Sequence, residues 1–409
     1  MLVGGGYDAE GLPQAIHNMP ETTEAQRIAK AAKIKHYKGY EYDDYQQTNK
    51  VGAGVYMFDA LDGSLLWWAS ANATAQTTTP TYVPTTGASS SYDADLKYSV
   101  VSQIRAIDRD GDGLTDHLYF GDLGGQIWRI DLNNQVNKPE LFAKAPTRIL
   151  NLNRGAESPR FYEMPSFSTF SNRGEVFAVV SIGSGNRSQP LAAYSTTAGY
   201  NEDGVYSIYD KDVARRNLFT INQDQQYVVT GATLKTRNIT LLPEGDSLSG
   251  TEVNHLVGLN DQNRFSLSSI RAPYALTQGW YYLFKSSLIQ SEKVMATPLV
   301  INNDMFVTTF DSSRDGLSGD CGAGVKGESF MTLFCMPFGQ CNEGDKTTYR
   351  LNLGVGIVGG AVGAGDSAGM TRLIVANLNT SALTGNAIAN KRYQTINKLI
   401  SQRWYDRHY

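Results

Sequence analysis

The chain has 409 residues, with 36 lysines and arginines against 40 aspartates and glutamates, so its formal net charge at pH 7 is -4. This near-balance argues against a nucleic-acid-binding protein, which usually carries a clustered basic excess. The sequence contains no run of about 18 apolar residues, so it does not predict a transmembrane helix. Its 40 glycines, 23 tyrosines and only 19% charged residues favour many short strands joined by tight turns rather than a helical bundle.

The beginning of the chain, MLVGGGYDAEG, has neither the basic region nor the apolar core of a signal peptide. We therefore expect a fragment of a longer protein. The first helix is predicted from Thr23 to about Lys35, because Thr23 and Gln26 form a capping box. A second helix is predicted over residues 386–403, where isoleucines and a leucine form a partial apolar stripe.

Most of the sequence between these helices predicts strands and turns. In the clearest hairpin, residues 54–59 and 64–68 flank an Asp62-Gly63 turn, and an Asp-Gly pair between two such runs is a strong hairpin signal. The other predicted strands are a second hairpin and separate runs further along: 118–122 and 126–130 around Gly124-Gly125, 175–182, 204–209, 227–230, 279–284, 299–301, 305–310, 330–336 and 371–375.

Many short antiparallel strands in a chain of this length have edges that must be protected. A β-propeller protects them by radial repetition of four-stranded blades. We therefore predict an all-β fold, an irregular β-propeller with helical and loop insertions that spans residues 1–409 as a single domain. Residues 74–91 are rich in threonine, serine and proline and are predicted to form an exposed loop.

The acidic segment 108–116 has the pattern that is most specific for a chemical function. Aspartates occupy loop positions 1, 3, 5 and 9 and Gly113 occupies position 6, as in the D-x-D-x-D-G calcium loop of EF-hands. A bend at the glycine turns the carbonyl at position 7 toward an ion that takes six or more oxygen ligands. The predicted site holds one calcium ion through five ligands: Asp108, Asp110, Asp112, the Leu114 carbonyl and Asp116.

This loop departs from an EF-hand after its ninth position. Position 12 is Tyr119 rather than a bidentate glutamate, and the residues from His117 onward predict a strand instead of a helix. We therefore expect a calcium loop between two strands of a sheet. The alternative is a solvated acidic turn without a metal, and magnesium is disfavoured because it demands strict octahedral geometry.

The three cysteines, Cys321, Cys335 and Cys341, lie within 21 residues of one another. Their odd number favours one local disulfide and one free or differently paired thiol, and the spacing does not decide which cysteines pair. A zinc site is less favoured, because no Cys-x-x-Cys motif occurs. A disulfide would indicate an oxidising compartment.

We find none of the motifs that are typical of common enzyme classes. Gly-x-Ser-x-Gly, His-Glu-x-x-His and a phosphate-binding glycine-rich loop are all missing. The five histidines are scattered, and we interpret them as surface or packing residues. The glycine-rich run 354–360 is interpreted as a core strand rather than a dinucleotide loop, and the chain is predicted not to be an enzyme.

Residues 102–132 resemble the C-terminal β-propeller of the PilY/PilC family, the type IV pilus tip-associated biogenesis factors and adhesins of Gram-negative bacteria. The specific part is the calcium loop followed by the motif Gly-Asp-x-Gly-Gly-x-x-Trp at Gly121–Trp128. Further segments are similar in the expected order: 54–67, 183–191, 279–281 with 292–310 and 321–322, and 403–404.

The resemblance implies a propeller of about seven four-stranded blades with one bound calcium ion. In this family, calcium occupancy is linked to pilus extension against retraction, and hence to twitching motility and adhesion. The implied partners are the minor pilins of the pilus tip complex, a host or surface receptor and the protein's own N-terminal region, with no nucleic acid. The implied location is exported, at the cell surface or pilus tip, in association with the outer membrane.

Two other classes of protein stay open. Residues 58–67 resemble the tryptophan-docking repeat of quinoprotein dehydrogenase propellers, although the adjacent cysteine pair of those enzymes is missing. The second class is the calcium-stabilised structural propeller of another secreted adhesin, in which the ion only stiffens one hairpin. The integrin-type Arg-Gly-Asp tripeptide of some PilY/PilC members does not occur in the sequence.

Overall fold

The computed structural model describes most of residues 50–211 and 278–360 and shorter stretches elsewhere. The described residues are 1–7, 19–34, 50–73, 89–134, 142–153, 158–172, 174–195, 203–211, 213, 220–221, 227–228, 257–259, 278–284, 289–316, 325–339, 341, 350–360, 362–365, 370–374, 388 and 392–394.

The described elements are one helix and a succession of short strands. In chain order they are β1 (Leu2–Gly4), α1 (Glu24–Ile34), β2 (Val55–Phe58), β3 (Leu65–Ser70), β4 (Ser89–Tyr92), β5 (Arg105–Ile107), β6 (His117–Gly121), β7 (Gln126–Asp131), β8 (Thr147–Asn151), β9 (Ser166–Asn172), β10 (Glu175–Gly183), β11 (Tyr194–Ser195), β12 (Gly204–Asp210), β13 (Thr220–Ile221), β14 (Tyr227–Val228), β15 (Val257–Leu259), β16 (Gly279–Leu283), β17 (Ile289–Gln290), β18 (Glu292–Val294), β19 (Leu299–Ile301), β20 (Asp304–Asp311), β21 (Glu328–Cys335), β22 (Arg350–Val355), β23 (Val362–Gly365), β24 (Met370–Ile374) and β25 (Arg392–Gln394). Apart from the glycine-rich run 354–360, each strand predicted from the sequence has a counterpart here, whose described ends differ by at most two residues.

The strands form a series of sheets that follow the chain. The first sheet has the order β1-β2-β3-β4, the second β5-β6-β7-β8 and the third β15-β16-β12-β10-β9. The fourth sheet has the order β18-β20-β21-β22, with β19 also paired to β20, and the fifth has the order β23-β24-β25. Pairing is antiparallel except between β3 and β4 and between β15 and β16. The predicted all-β class is confirmed.

Successive sheets pack face to face, because side chains that alternate along a strand meet a different neighbour on each face. On β6, Leu118 and Phe120 pack with Trp67 of the first sheet, whereas Tyr119 faces Val180 of the third sheet. The same alternation continues through the third, fourth and fifth sheets. This stacking is the packing of propeller blades. Among the described residues the sheets do not close into a ring, and the number of blades stays a prediction.

The predicted helix is confirmed as α1. The Thr23 hydroxyl accepts a hydrogen bond from the backbone N–H of Gln26 at 3.2 Å, and the Gln26 side chain accepts one from the N–H of Thr23 at 3.0 Å. This reciprocal pair is the capping box that the sequence predicts. Of the helices that the structure describes, none is long and apolar enough to cross a membrane.

The predicted exposed loop 74–91 is wrong at its end, where Ser89–Tyr92 forms β4 and pairs in parallel with β3. Ser89 and Ser91 are buried there, and the indole Nε1 of Trp67 donates a hydrogen bond to the Ser91 hydroxyl at 3.2 Å. A small polar side chain is suited to this position because it fits beside the tryptophan and accepts its N–H. Residues 74–88 lie outside the described part of the chain.

The helix predicted over 386–403 is also wrong where it can be compared, because Arg392–Gln394 forms β25 and pairs with β24. Tyr393 is buried against Phe306 and donates a hydrogen bond to a carboxylate oxygen of Asp304 at 2.7 Å. Packing on the fourth sheet therefore outweighs the weak helical stripe. Apart from Ile388, the other residues of this segment are not described. The glycine-rich run 354–360 continues the strand only to Val355.

A disulfide joins Cys335 to Cys341, whose Cα atoms are 4.9 Å apart. The bonded loop packs on the third sheet, because the Pro337 carbonyl accepts hydrogen bonds from Trp280 Nε1 at 2.7 Å and the Tyr209 hydroxyl at 3.2 Å. The predicted local disulfide is therefore present, and it holds a contact between the third and fourth sheets. The remaining cysteine of the sequence lies outside the described residues.

Replacing Cys335 and Cys341 together by alanine should lower the free energy of unfolding by about 2 kcal/mol, because a short covalent loop no longer restricts the unfolded chain. Guanidinium denaturation followed by tryptophan fluorescence measures the change, with a Cys321→Ala variant as the control. Unfolding midpoints that agree for both variants and the wild type would contradict a stabilising role of this bond.

The turn between β6 and β7 is built around the buried carboxylate of Asp122. One of its oxygens accepts hydrogen bonds from the backbone N–H groups of Gly124 and Gln126, at 2.9 and 3.0 Å. The other accepts from Gln126 Nε2 and Trp128 Nε1, at 2.9 and 2.8 Å. A Cβ atom at Gly124 would lie 2.2 Å from the Tyr98 ring. The spacing of the Gly-Asp-x-Gly-Gly-x-x-Trp motif is thus explained by one hydrogen-bonded turn.

Burial raises the pKa of Asp122 to about 7, and the N–H donors of Trp128 and Gln126 oppose a further rise. An unfolded aspartate has a pKa of about 3.9, so between about pH 4 and pH 7 the folded protein keeps a proton that the unfolded chain has lost. The free energy of unfolding should therefore fall as pH rises through this window, by up to ~1.4 kcal/mol per pH unit from this group. Urea unfolding across this range, compared with Asp122→Asn, tests the sign: the wild type should lose stability more steeply, and parallel curves would contradict it.

Candidate metal centre

The acidic loop 108–116 connects β5 to β6 within the second sheet, between two strands as predicted. Its last residue, Asp116, already belongs to the hydrogen-bond ladder. The Asp116 N–H donates to the Ile107 carbonyl at 2.8 Å, and the Asp116 carbonyl accepts from the Leu132 N–H at 2.8 Å. One end of the loop is therefore held by strands on both sides.

Three carboxylates converge inside this loop. Asp108, Asp110 and Asp116 each offer an oxygen atom, and these atoms lie within 4.8 Å of one another. All three residues are half-buried. Three oxygen donors that each carry a negative charge suit a hard divalent cation rather than a soft metal. This cluster can hold a metal ion.

Backbone N–H groups of the loop orient two of these carboxylates. Asp108 accepts hydrogen bonds from the N–H groups of Gly111 at 2.7 Å and Gly113 at 2.9 Å. Asp116 accepts one from the N–H of Arg109 at 2.7 Å. Gly111 and Gly113 have φ angles of 76° and 90°, in the left-handed region that glycine adopts most readily. The curled backbone therefore arranges the acidic side chains.

Asp112, another predicted ligand, lies on the outer side of the loop. Asp112 is exposed, and its carboxylate accepts a hydrogen bond from the N–H of Leu114 at 2.8 Å instead of joining the three converging oxygens. Leu114 has a side chain that is 49% exposed. The structure thus brings together three of the predicted carboxylates, and coordination by Asp112 and by the Leu114 carbonyl stays a prediction.

Burial raises the pKa of Asp116, and the hydrogen bond from the Arg109 N–H partly offsets this shift. His117 and Arg109 also lower this pKa, and the neighbouring Asp110 carboxylate raises it, because two like charges oppose each other's ionisation. A cation between the carboxylates would favour their ionised forms.

Behind the loop lies a chain of buried polar side chains, which we call the buried relay: His117, Asp131, Arg129 and Asp210. His117 Nδ1 lies 2.8 Å from an oxygen of Asp131, and Arg129 Nε lies 3.0 Å from the same oxygen. An Arg129 terminal nitrogen lies 2.7 Å from Asp210. None of these side chains is more than 3% exposed.

The charges of the buried relay support one another. Burial alone would raise the pKa of Asp131, but Arg129 and the His117 hydrogen bond lower it to about 2. Burial alone would lower the pKa of Arg129, but Asp131 and Asp210 raise it well above its usual value. The arginine thus remains charged between the carboxyl groups of Asp131 and Asp210.

The sequence predicts His117 to be a surface or packing residue, and it does not predict the buried relay. His117 is buried, and it lies opposite Asp131 in the pairing of β6 with β7. The available signal was the ionisable residues Arg129 and Asp131 at alternate positions of an otherwise apolar strand. Such residues are seldom buried without partners.

Replacing Asp116 and Asp112 by alanine should affect metal binding unequally. Asp116→Ala should weaken calcium binding more than about 100-fold, because a unit charge next to a partly buried cation contributes several kcal/mol. Asp112→Ala should retain measurable binding, because that carboxylate lies outside the converging group. Isothermal titration of each variant with CaCl₂ measures both effects, and equal losses would contradict the three-carboxylate geometry.

Among solved structures, the chain is similar to the crystal structure of the Pseudomonas aeruginosa PilY1 C-terminal domain, with 14% sequence identity and a TM-score of 0.46. The match covers 80% of this chain and 66% of the PilY1 chain. This chain therefore spans just under two thirds of the PilY1 chain. No protein-family model matches the chain, and no curated protein matches it.

Proposed function

We propose that this chain is the calcium-binding domain of a type IV pilus-associated protein of the PilY/PilC kind. The observation that carries the proposal is the convergence of the Asp108, Asp110 and Asp116 carboxylates in a loop between two strands. The motif at residues 121–128 follows this loop directly, as the resemblance requires.

Calcium is the ion that this donor set suits best. The donors are all oxygens, which disfavours zinc and copper. Magnesium would require near-ideal octahedral geometry, whereas calcium accepts six to eight oxygens in flexible arrangements completed by water. The exposed Asp112, after a local adjustment, and the Leu114 carbonyl would supply further oxygens.

In this proposal, calcium occupancy regulates pilus extension against retraction, and with it twitching motility and surface adhesion. The partners would be minor pilins of the pilus tip, a surface or host receptor and an N-terminal region of the same protein, at the cell surface. The disulfide between Cys335 and Cys341 supports an exported location, because such bonds persist in oxidising compartments.

We propose a binding role rather than a catalytic one. The rival dehydrogenase function predicts dye-linked alcohol oxidation when pyrroloquinoline quinone and calcium are added to the purified protein. We expect none, and sustained turnover in that assay would favour the enzyme.

Calcium should raise the unfolding temperature of the wild type, since an ion at about 100 times its dissociation constant stabilises the bound state by roughly 2.7 kcal/mol. Asp116→Ala should abolish this shift. Asp62→Ala is the control, because Asp62 lies outside the cluster and its carboxylate, like that of Asp116, accepts a backbone N–H, from Ser64 at 2.8 Å. Magnesium at the same concentration should give a smaller shift. A calcium shift that survives in Asp116→Ala would refute the site.

The regulatory part is tested in cells whose full-length protein carries Asp116→Ala or the control Asp62→Ala. We expect Asp116→Ala to change surface piliation and to reduce twitching, with the control unchanged. Normal piliation and twitching after loss of metal binding would instead favour the structural adhesin, in which the ion only stiffens one hairpin.

A further inference from the structure

We propose that Asp210, on the third sheet, is a positioning residue for the metal loop of the second sheet and acts on it through the buried relay. This inference rests on the proposed calcium site. It predicts that calcium binding and the contact between the second and third sheets strengthen each other.

Asp116 lies on the rung of the sheet next to the one that begins the buried relay. Asp116 and His117 are consecutive, as are Asp131 and Leu132. The Asp116 carbonyl accepts the Leu132 N–H at 2.8 Å, and the His117 ring contacts the Asp131 carboxylate at 2.8 Å. The backbone that carries the Asp116 carboxylate is therefore paired directly beside the two residues that begin the buried relay.

The pair of His117 and Asp131 is in turn held from within the core. Arg129 contacts Asp131 at 3.0 Å, and both side chains lie on β7 and are at most 2% exposed. Water does not screen charges in such a site, so their interaction is strong and sensitive to the loss of a partner. The position of Asp131 therefore depends on Arg129.

Arg129 is held by the third sheet. One terminal nitrogen donates to both carboxylate oxygens of Asp210, at 2.9 and 2.7 Å. Tyr119 of β6 donates its hydroxyl to Asp210 at 3.0 Å. Asp210 is the last residue of β12, and it thus receives hydrogen bonds from both central strands of the second sheet.

These contacts form a continuous path from Asp210 to the metal ligand Asp116. Binding free energies are linked reciprocally, so a group that orders the loop favours the ion, and the ion favours the ordered contact. Outer-shell partners that orient metal ligands typically change metal affinity by 10- to 100-fold. Asp210 does not contact Asp116 directly but acts through Arg129 and Asp131. We therefore expect its loss to change calcium affinity by an amount near the lower end of that range.

The first experiment measures calcium affinity by isothermal titration of Asp210→Asn and Asp203→Asn in the whole chain. Asp203 is the matched control, because it is also a buried aspartate, it precedes the other end of β12, and its side chain contacts Ser184 instead of the relay. We expect about tenfold weaker binding for Asp210→Asn and wild-type affinity for Asp203→Asn. Equal calcium affinity of the two variants would overturn the inference.

The second experiment needs no variant and applies if Asp210→Asn does not fold. Amide hydrogen exchange of the wild type is compared with and without calcium in β12 and in β20, a strand of the fourth sheet that the relay does not touch. We expect calcium to slow exchange in β12 more than in β20. An equal change in both strands would overturn the inference, because it would report only global stabilisation.

The two proposals fail in different ways. A wild-type chain that binds no calcium refutes the proposed site and, with it, this inference. A wild type that binds calcium, together with unaltered affinity of Asp210→Asn and equal protection of the two strands, refutes the role of Asp210 and leaves the calcium site intact.

Discussion

The structure depends on the burial of both faces of each inner sheet against the next sheet along the chain. In the second sheet, Leu118 and Phe120 are buried against one neighbour and Tyr119 against the other. A strand that is buried on both faces has no side that can accept unpaired polar groups, because a buried polar group without a partner costs several kcal/mol. Every polar residue of these strands must therefore find its partners inside the protein.

Asp122 and the buried relay meet this constraint in two different ways. Asp122 is surrounded by N–H donors of its own turn, so its partners are local and their spacing is visible as a sequence motif. Asp131 and Arg129 instead require Asp210, which is distant in the chain and adjacent only after the sheets have stacked. The first arrangement defines a hairpin, and the second joins two sheets.

This difference explains how much of the molecule could be predicted from its sequence. The hairpins and the acidic loop follow from local chemistry, because Asp-Gly turns, alternating strands and the spacing of Asp108, Asp110 and Asp116 act over a few residues. The strand β25 was missed because it forms only by packing Tyr393 on the fourth sheet. The strand β4 was not predicted, because the residues around Ser91 in the sequence indicate a loop. Its position in the sheet depends on a contact with Trp67, which is distant in the sequence.

The candidate site combines both kinds of constraint. Asp116 is placed by the sheet, since its backbone pairs with Ile107 and Leu132, whereas Asp112 is placed only by a hydrogen bond within the exposed loop. A cation that binds first to the converging carboxylates would contact Asp116, which the sheet holds in place, on one side. On the solvent side it would face Asp112, whose position can adjust. Because the adjacent pair, His117 and Asp131, belongs to the buried relay, an ion held by Asp116 would lie one rung away from the contacts that join the second and third sheets.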